Sequence, residues 1–290
     1  MDFVWNILAS LLFAILGAVS YRFVYRPVKR RLNVLTRCLP FAIDDSTLLV
    51  CYGLIPPGAS GSSYYAVQEG DLAGITLAQE VLAANYGSER LALRGCVAAE
   101  GLIRDADAVF TISGPRWNRI TSACLGKLGS PIWFEVVDGR VELVVQPAGR
   151  SPQRYRTARN PAGEARVSYG IVLVGTHLTV DQRAQRVVTC AGVNNVATYG
   201  SLCFLLGLRN RRSFRGMREL KAAAMSGRFV ALLRVENTAP TLDDPVRMPL
   251  DASHITVEVV QILAGDDFYP PYVYRYPNCG PDLAASGASA

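Results

Sequence analysis

Two glycine-containing turns carry the residues best suited to holding a small anionic ligand. Each follows a short apolar run and precedes a helical pattern, and together they contain Gly114, Pro115, Arg116, Asn118, Gly192, Asn194, Asn195 and Thr198. Glycine permits close backbone approach, proline restricts the turn, and the polar side chains supply hydrogen-bond donors. The pair predicts one site for a phosphate-bearing ligand. The alternative is two ordinary strand-to-helix turns in which asparagine and threonine cap the helices.

The best acidic cluster is Glu69-Gly70-Asp71, which follows Tyr64 and Tyr65 and precedes a helical segment. A carboxylate at the edge of a nucleotide-binding sheet can attack or stabilise the ribosyl centre of a nucleoside or of NAD. Glu69 and Asp71 are therefore the candidate catalytic residues. The competing interpretation is structural, with Asp71 capping the helix and the helix dipole favouring its acidic neighbour.

Metal and common cofactor motifs are absent from the sequence. The seven cysteines form no C-x-x-C pair, and neither His177 nor His254 lies at ligand spacing from a cysteine, so no metal site is predicted. There is no Walker loop, G-x-S-x-G, H-E-x-x-H or complete G-x-G-x-x-G. This argues against P-loop ATPases, classical hydrolases, zinc proteases and standard dehydrogenases, and leaves the cofactor unknown.

The two turns also resemble a pattern found in uncharacterised bacterial and archaeal Rossmann-like domains. Those domains pair a strand-GGPxxNxxT-helix turn with a later strand-AGxxxxGT-helix turn. Here the first turn reads SGPRWNRIT, with Ser113 in place of the first glycine, and the second reads AGVNNVAT, with Ala197 in place of the last glycine. The resemblance covers about Leu48 to Leu208. It implies a Rossmann-like fold and a nucleotide-type ligand, and it implies no particular reaction.

The elements that must position these turns alternate between strand and helix patterns. Apolar runs at residues 48–52, 90–94 and 108–112 predict buried strands, and helical spacing at residues 73–86 predicts the first helix. Such alternation favours a mainly parallel α/β sheet with right-handed crossovers. Residues 168–174, 186–190, 229–235 and 255–263 are further predicted strands, and residues 218–226 a helix.

A β-hairpin is predicted to interrupt the alternation. Asp138-Gly139 separates IWFEVV from RVELVV, and a D-G pair between β-rich runs is a strong hairpin signal. Residues 148–165 are polar and rich in turn formers, which predicts an exposed loop.

The N-terminal segment predicts a membrane anchor. Residues 3–21, from Phe3 to Tyr21, carry no charge, and about 20 apolar residues span a bilayer core. The basic residues that follow mark a cytoplasmic flank: Arg22, Arg26, Lys29, Arg30 and Arg31. The predicted organisation is an anchor at 1–24, a basic juxtamembrane linker at 25–46, a Rossmann-like domain at 47–275 and a flexible tail at 276–290.

These features favour a single-pass inner-membrane protein whose cytoplasmic domain binds a nucleotide-like or other anionic ligand as a signalling sensor or effector. One alternative is a nucleoside- or NAD-processing enzyme that uses Glu69 or Asp71, and another is a scaffolding protein without a ligand. A homo-oligomer is compatible with each of them. The net charge of +6 is partly accounted for by the flank, and no recognisable nucleic-acid motif surrounds the basic cluster at residues 209–218, so no nucleic-acid partner is expected.

Overall fold

The computed structural model describes residues 46–59, 63–161, 163–179, 181–206, 214–224, 227–238 and 252–270, together with Leu35, Cys38 and Leu39. The predicted anchor at residues 3–21 and the predicted tail at residues 276–290 lie outside these ranges. Within them, no helix has the length and apolar character needed to cross a membrane.

Strands and helices alternate in the first half of the domain, and strands predominate later. The described strands are β1 (Leu48–Tyr52), β2 (Leu91–Gly95), β3 (Ala108–Ile112), β4 (Ile132–Val137), β5 (Arg140–Val145), β6 (Gln153–Tyr155), β7 (Ala158–Arg159), β8 (Ala165–Leu178), β9 (Ala184–Gly192), β10 (Phe214–Arg215), β11 (Phe229–Asn237) and β12 (Ile255–Ala264). The described helices are α1 (Glu69–Tyr86), α2 (Cys96–Ala99), α3 (Arg119–Lys127), α4 (Asn195–Leu206) and α5 (Met217–Ala223).

The main sheet is mixed, with the strand order β10-β12-β11-β8-β9-β3-β1-β2 and with β7 beside β8. Its β2-β1-β3-β9 part is parallel, as the sequence predicts, whereas β8 pairs antiparallel with both β9 and β11, and β11 pairs antiparallel with β12. A parallel connection needs about a dozen residues. Residues 179–183, which join β8 to β9, are too few for a parallel connection. The two strands therefore form an antiparallel hairpin.

The predicted hairpin is confirmed. Strands β4 and β5 pair antiparallel on either side of Asp138 and Gly139, which have φ values of 49° and 73°. Two positive φ values at the central positions fit the twist of a two-residue hairpin. The predicted exposed loop at residues 148–165 is only partly correct, because β6 pairs with β5 to form a three-stranded sheet and β7 joins the main sheet.

The first helix begins four residues earlier than its apolar pattern predicts. It starts at Glu69 with Gln68 as its N-cap, so Asp71 lies inside the first turn and does not cap the helix. The first turn of α1 carries Glu69 and Asp71, and the helix dipole favours acidic residues there. Because this turn lacks apolar periodicity, the sequence pattern did not show that the helix begins at Glu69.

Two hydrophobic clusters cover the two faces of the main sheet. Ile75, Ala78 and Leu82 of α1 pack with α4 and with alternate strand residues such as Leu48 and Val50. On the other face, α2, α3 and the three-stranded sheet cover the intervening strand residues. The parallel strands are therefore buried on both sides, which explains their continuous apolar sequences.

Part of the predicted juxtamembrane linker belongs to this core. Leu35, Cys38 and Leu39 are buried in the cluster that contains α1 and α4. The Tyr86 hydroxyl at the end of α1 donates to the Leu39 carbonyl at 2.9 Å. Arg186 Nε at the start of β9 donates to the Cys38 carbonyl at 2.7 Å.

Candidate functional site

The candidate site lies at the carboxyl ends of the parallel strands. Strands β2 and β3 flank β1 on opposite sides, so the chain changes direction across the sheet between β1 and β3. Open α/β sheets bind ligands outside the carboxyl ends of their strands at such a switch point. The turns after β1, β3 and β9 all emerge at this edge.

These three turns contact one another. The Ser113 amide donates to the Cys190 carbonyl at 3.2 Å. A Cβ atom at Gly114 would lie 3.0 Å from the Gly192 carbonyl oxygen, so the backbones after β3 and β9 are adjacent. The Leu54 amide after β1 donates to the Trp117 carbonyl at 2.9 Å. The two glycine-containing turns singled out in the sequence therefore lie side by side.

The Asn118 side chain holds the first turn in shape. It is buried, and its Oδ1 accepts from the Ile120 and Thr121 amides at 3.1 and 3.4 Å, which caps α3. Its Nδ2 donates to the Ile112 carbonyl at 2.9 Å and to the Cys51 carbonyl at 3.3 Å, joining the ends of β3 and β1. All of these hydrogen bonds are internal, so the role of Asn118 is structural.

The second turn is held in a similar way. Asn194 Oδ1 accepts from the Ala197 amide at 2.9 Å, and Nδ2 donates to Ser168 Oγ of β8 at 2.8 Å. Asn195 Oδ1 accepts from the Val196 amide at 2.9 Å. The buried Thr198 hydroxyl donates back to the Asn194 carbonyl at 3.2 Å.

The capping bonds limit what these two helix ends can offer a ligand. An anion at a helix N-terminus binds to amides that have no intrahelical partner. The amides of Ile120 and Thr121 in α3, and of Val196 and Ala197 in α4, already donate to asparagine side chains. The predicted convergence of both helix ends on one phosphate stays a prediction, and it would require displacing these caps.

The N-terminus of α1 differs, because no side chain in the described part of the chain caps it. Asp71 lies in its first turn and is 1% exposed. Its Oδ1 has no hydrogen-bond partner among the described residues. A buried polar atom without a partner is uncommon in folded proteins, so Oδ1 is a candidate contact for a ligand or an ordered water.

The electrostatics of Asp71 reflect this burial. Desolvation raises the pKa of the carboxyl from its ordinary value of 3.8 to about 6, and a hydrogen bond from the Ser113 side chain opposes that rise. No basic group contributes to the shift. At neutral pH the site therefore holds a mostly ionised carboxylate in a poorly solvated position.

The remaining predicted residues lie at the start of α1 and on the turn after β3. Glu69 is the first residue of α1. Pro115 is buried, whereas Arg116 is exposed on the same turn, with its guanidinium carbon 4.7 Å from the centroid of the Trp117 ring. Arg116 is therefore accessible to a ligand that covers this turn.

Two residues of the site were not predicted from the sequence. Ser113 is buried with a φ of 90°, and Gly53 at the end of β1 packs against it. A serine at the glycine position of the GGPxxNxxT pattern was a signal for the first. Gly53 had no local signal, because its role depends on a residue of another strand.

Metal ligands do not cluster in the described ranges, where no group of three or more histidine, cysteine, aspartate or glutamate residues could hold an ion. The six described cysteines are buried, and none of them forms a disulfide bond. His177 lies on β8, and burial lowers its pKa with a smaller contribution from Lys127. His254 ends a short 3-10 helix before β12.

Comparison with known protein families finds no matching family, and comparison with curated proteins finds no significant match.

Proposed function

We propose that this domain is Rossmann-like and binds a nucleoside- or nucleotide-like molecule at the carboxyl edge of β1 and β3. The observation that carries the proposal is the Asp71 carboxylate, which is buried at the switch point with an unpartnered oxygen. A ligand that donates a hydrogen bond to Oδ1 would remove the cost of leaving this atom unpaired.

The charge of the site defines which part of the ligand lies there. A carboxylate accepts hydrogen bonds and repels a phosphate, so Asp71 suits a sugar hydroxyl or an amino group on a base. A phosphate, where present, lies further along the edge, where Arg116 is exposed and the Gly114 and Gly192 backbones adjoin. Arginine can bind a phosphate in a bidentate manner.

The loop before α1 offers surfaces for a base. Tyr64 and Tyr65 are 80% and 53% exposed, which is high for aromatic side chains, and both lie between the end of β1 and Asp71. Stacking of a base on a tyrosine ring is favourable and tolerant of base identity. Together with Asp71, these side chains match the polar and aromatic parts of a nucleoside.

The test is calorimetric titration with a panel of nucleosides, nucleotides, cyclic dinucleotides and NAD. We expect at least one of them to bind, and we expect Asp71→Asn to weaken its affinity by about 10-fold or more, because a charge-assisted hydrogen bond is lost. Glu80→Gln, an exposed acid on the same helix, is the matched control and should bind like the wild type. Absence of binding to the wild type, or equal binding by Asp71→Asn, contradicts the proposal.

An enzyme is the second candidate, because the Asp71 pKa of about 6 lies in the range that acid–base catalysts use near neutral pH. A carboxylate here would stabilise or attack the anomeric carbon while the bond to the base breaks. Incubation with NAD and nucleosides, followed by mass spectrometry for the released base, tests this. Turnover that Asp71→Asn abolishes supports the enzyme, whereas a ligand recovered unaltered supports the sensor.

The membrane tether at residues 3–21 remains part of the proposal for a sensor or effector on the cytoplasmic face. Its basis is the uncharged segment and the basic residues after it. Protease added to intact spheroplasts should leave the domain undigested. Digestion while the membrane stays intact would place the domain on the other side.

A further inference from the structure

The outward face of the three-stranded sheet is buried, although its apolar side chains belong to neither hydrophobic cluster. Trp133 of β4 and Val144 of β5 lie opposite each other and are 4% and 0% exposed. Every other buried apolar side chain of the described ranges belongs to one of the two clusters. Side chains alternate across a strand, and the neighbours of these two residues on β4 and β5 pack toward the main sheet. A further part of the molecule therefore covers the outward face.

Glu142 adds a polar requirement to this face. It lies on the same side of β5 as Val144 and is 4% exposed. Its Oε1 pairs with Arg156 Nε at 2.6 Å, whereas Oε2 lies 3.6 Å from Arg154 Nη1 and has no hydrogen-bond partner in the described part of the chain. The covering group therefore has to bury apolar atoms and to donate a hydrogen bond. Tyrosine does both, because it combines an apolar ring with a hydroxyl donor.

The chain passes the edge of this face at Tyr269. The Tyr269 amide donates to the Gly129 carbonyl at 2.9 Å, and its hydroxyl donates to the Gln146 carbonyl at 3.0 Å. Gly129 shortly precedes β4 and Gln146 directly follows β5, so both contacts lie beside the end of the β4–β5 pair that carries Trp133. Pro270 is the last described residue, and the chain continues from this point.

The residues after Pro270 have the composition and the length that the face requires. Residues 271–276 read PYVYRY, in which tyrosine occupies every second position. Such alternation, with aromatic and β-branched residues, is typical of a strand. Six extended residues span about 20 Å, which is the length of the six-residue strand β4.

The other long stretches outside the described ranges join the domain elsewhere. Residues 1–34 lead to Leu35, which is buried in the cluster on the opposite face of the main sheet, and residues 207–213 follow α4 on that same face. Residues 239–251 connect β11 to β12 at the end of that strand pair remote from Tyr269. The segment after Pro270 is therefore the best placed to cover the outward face.

We propose that residues 271–276 lie across the outward face of the three-stranded sheet, with tyrosine rings over Trp133 and Val144 and one tyrosine hydroxyl donating to Glu142 Oε2. This arrangement explains why an outward apolar pair and a carboxylate oxygen with no described hydrogen-bond partner are buried on the same face. The inference is independent of the ligand site at Asp71.

The test removes the proposed occupant and follows Trp133. Fluorotryptophan labelling gives a fluorine NMR resonance for each of the three tryptophans, Trp133→Phe assigns one of them, and the shift between light and heavy water reports solvent contact. We expect no such shift for Trp133 in the wild type. Deletion of residues 271–290 should produce the shift and lower the unfolding temperature by about 3 °C or more, because apolar surface becomes exposed. Deletion of residues 281–290 alone is the matched control and should leave both quantities unchanged.

A second variant keeps the full chain length and removes only the aromatic rings, so it decides the question where the deletion variant does not fold. It combines three substitutions: Tyr272→Ser, Tyr274→Ser and Tyr276→Ser. We expect Trp133 to gain solvent contact in this variant as in the deletion. The matched control combines Tyr64→Ser with Tyr65→Ser, since both tyrosines are exposed and should leave Trp133 unchanged.

Several outcomes would overturn the proposal. If Trp133 stays protected after deletion of residues 271–290, or in the variant with three serines, another part of the molecule covers it. Exposure on deletion of residues 281–290 alone would make the tail the occupant. Exposure of the wild-type Trp133 only on dilution would make a second copy of the chain the occupant, and exposure at every concentration would mean that the face is open.

Discussion

The Asp71 carboxyl makes stability depend on pH in the direction opposite to most acidic residues. Its pKa of about 6 in the folded protein exceeds its ordinary value of 3.8. Protonation therefore favours the folded state. Below about pH 3 the group is protonated in both states and carries no penalty, and as the pH rises through 3.8 and then past 6 the penalty grows to about 3 kcal/mol.

Asp71→Asn should therefore stabilise the protein at neutral pH, because the amide has nearly the same shape and no charge to desolvate. We expect a gain of up to about 3 kcal/mol in the free energy of unfolding at pH 7, and almost none at about pH 3. Denaturant titrations at the two pH values measure this. A gain in stability combined with a loss of ligand binding is the behaviour expected of a functional residue.

Asn118 and Arg116 lie in the same turn and should respond differently to truncation. Asn118→Ala removes the cap of α3 and the buried hydrogen bonds to the Ile112 and Cys51 carbonyls, so we expect a loss of about 2–4 kcal/mol of stability. Arg116→Ala removes an exposed side chain and should cost less than about 1 kcal/mol, while weakening the binding of a phosphate-bearing ligand. Chemical denaturation and titration compare the two variants. Equal losses of stability would contradict the structural assignment.

At the scale of elements, the two strand-to-helix turns depend on glycine to different degrees. A Cβ atom at Gly192 would lie 2.5 Å from Ala197 Cβ, inside the first turn of α4. A Cβ atom at Gly114 would meet only the Gly192 carbonyl oxygen, at 3.0 Å. The second turn therefore requires glycine for packing, whereas at the first a Cβ atom would make one tight contact, which a shift of a few tenths of an ångström relieves.

Alanine at the two positions tests this difference. We expect Gly192→Ala to lower the free energy of unfolding by about 1–3 kcal/mol, because the turn must move away from α4. Gly114→Ala should change it by less than about 1 kcal/mol. The bulkier Gly114→Val should keep the fold and block approach of a ligand to the backbone. Unfolding of Gly114→Val would mean that packing, and not ligand access, requires this glycine.

At the scale of the whole molecule, Leu35, Cys38 and Leu39 are part of the domain core. The two buried leucines pack on α1 and α4, and Arg186 binds the carbonyls of Cys38 and Gly227, the latter at 2.6 Å. Helix α1 begins near the proposed ligand site at Asp71 and ends at Tyr86, which binds Leu39. One helix therefore connects the candidate site with the chain that leads to the predicted anchor.

Leu39→Ala should destabilise the domain as a core substitution does. We expect a loss of about 2–4 kcal/mol, because Leu39 is fully buried and its removal leaves a cavity. Leu72→Ala is the control, since Leu72 is 55% exposed and should cost less than about 1 kcal/mol. Thermal and denaturant unfolding of both variants measure the difference. Similar small losses would show that the segment does not contribute to the folded core.

The sequence by itself predicted most of the elements and the edge of the sheet at which the candidate site lies. Buried apolar runs identified β1 and β3, the D-G pair identified the β4–β5 hairpin, and the rule that parallel strands share a carboxyl edge placed the two glycine turns together. The first two inferences use residues within a few positions of one another, and the third adds a general rule about parallel sheets. Patterns of this range are visible in a single sequence.

Only the tertiary structure decided which polar groups are already partnered and which are not. Asn118 bonds to Cys51 across 67 positions, and Arg186 to Cys38 across 148, so neither contact leaves a local pattern. The antiparallel pairing of β8, β11 and β12, the burial of Asp71 and the positive φ of Ser113 likewise depend on distant strands. Burial and hydrogen bonding are properties of the assembled core, and they moved the candidate chemistry from the two predicted helix ends to the carboxylate of α1.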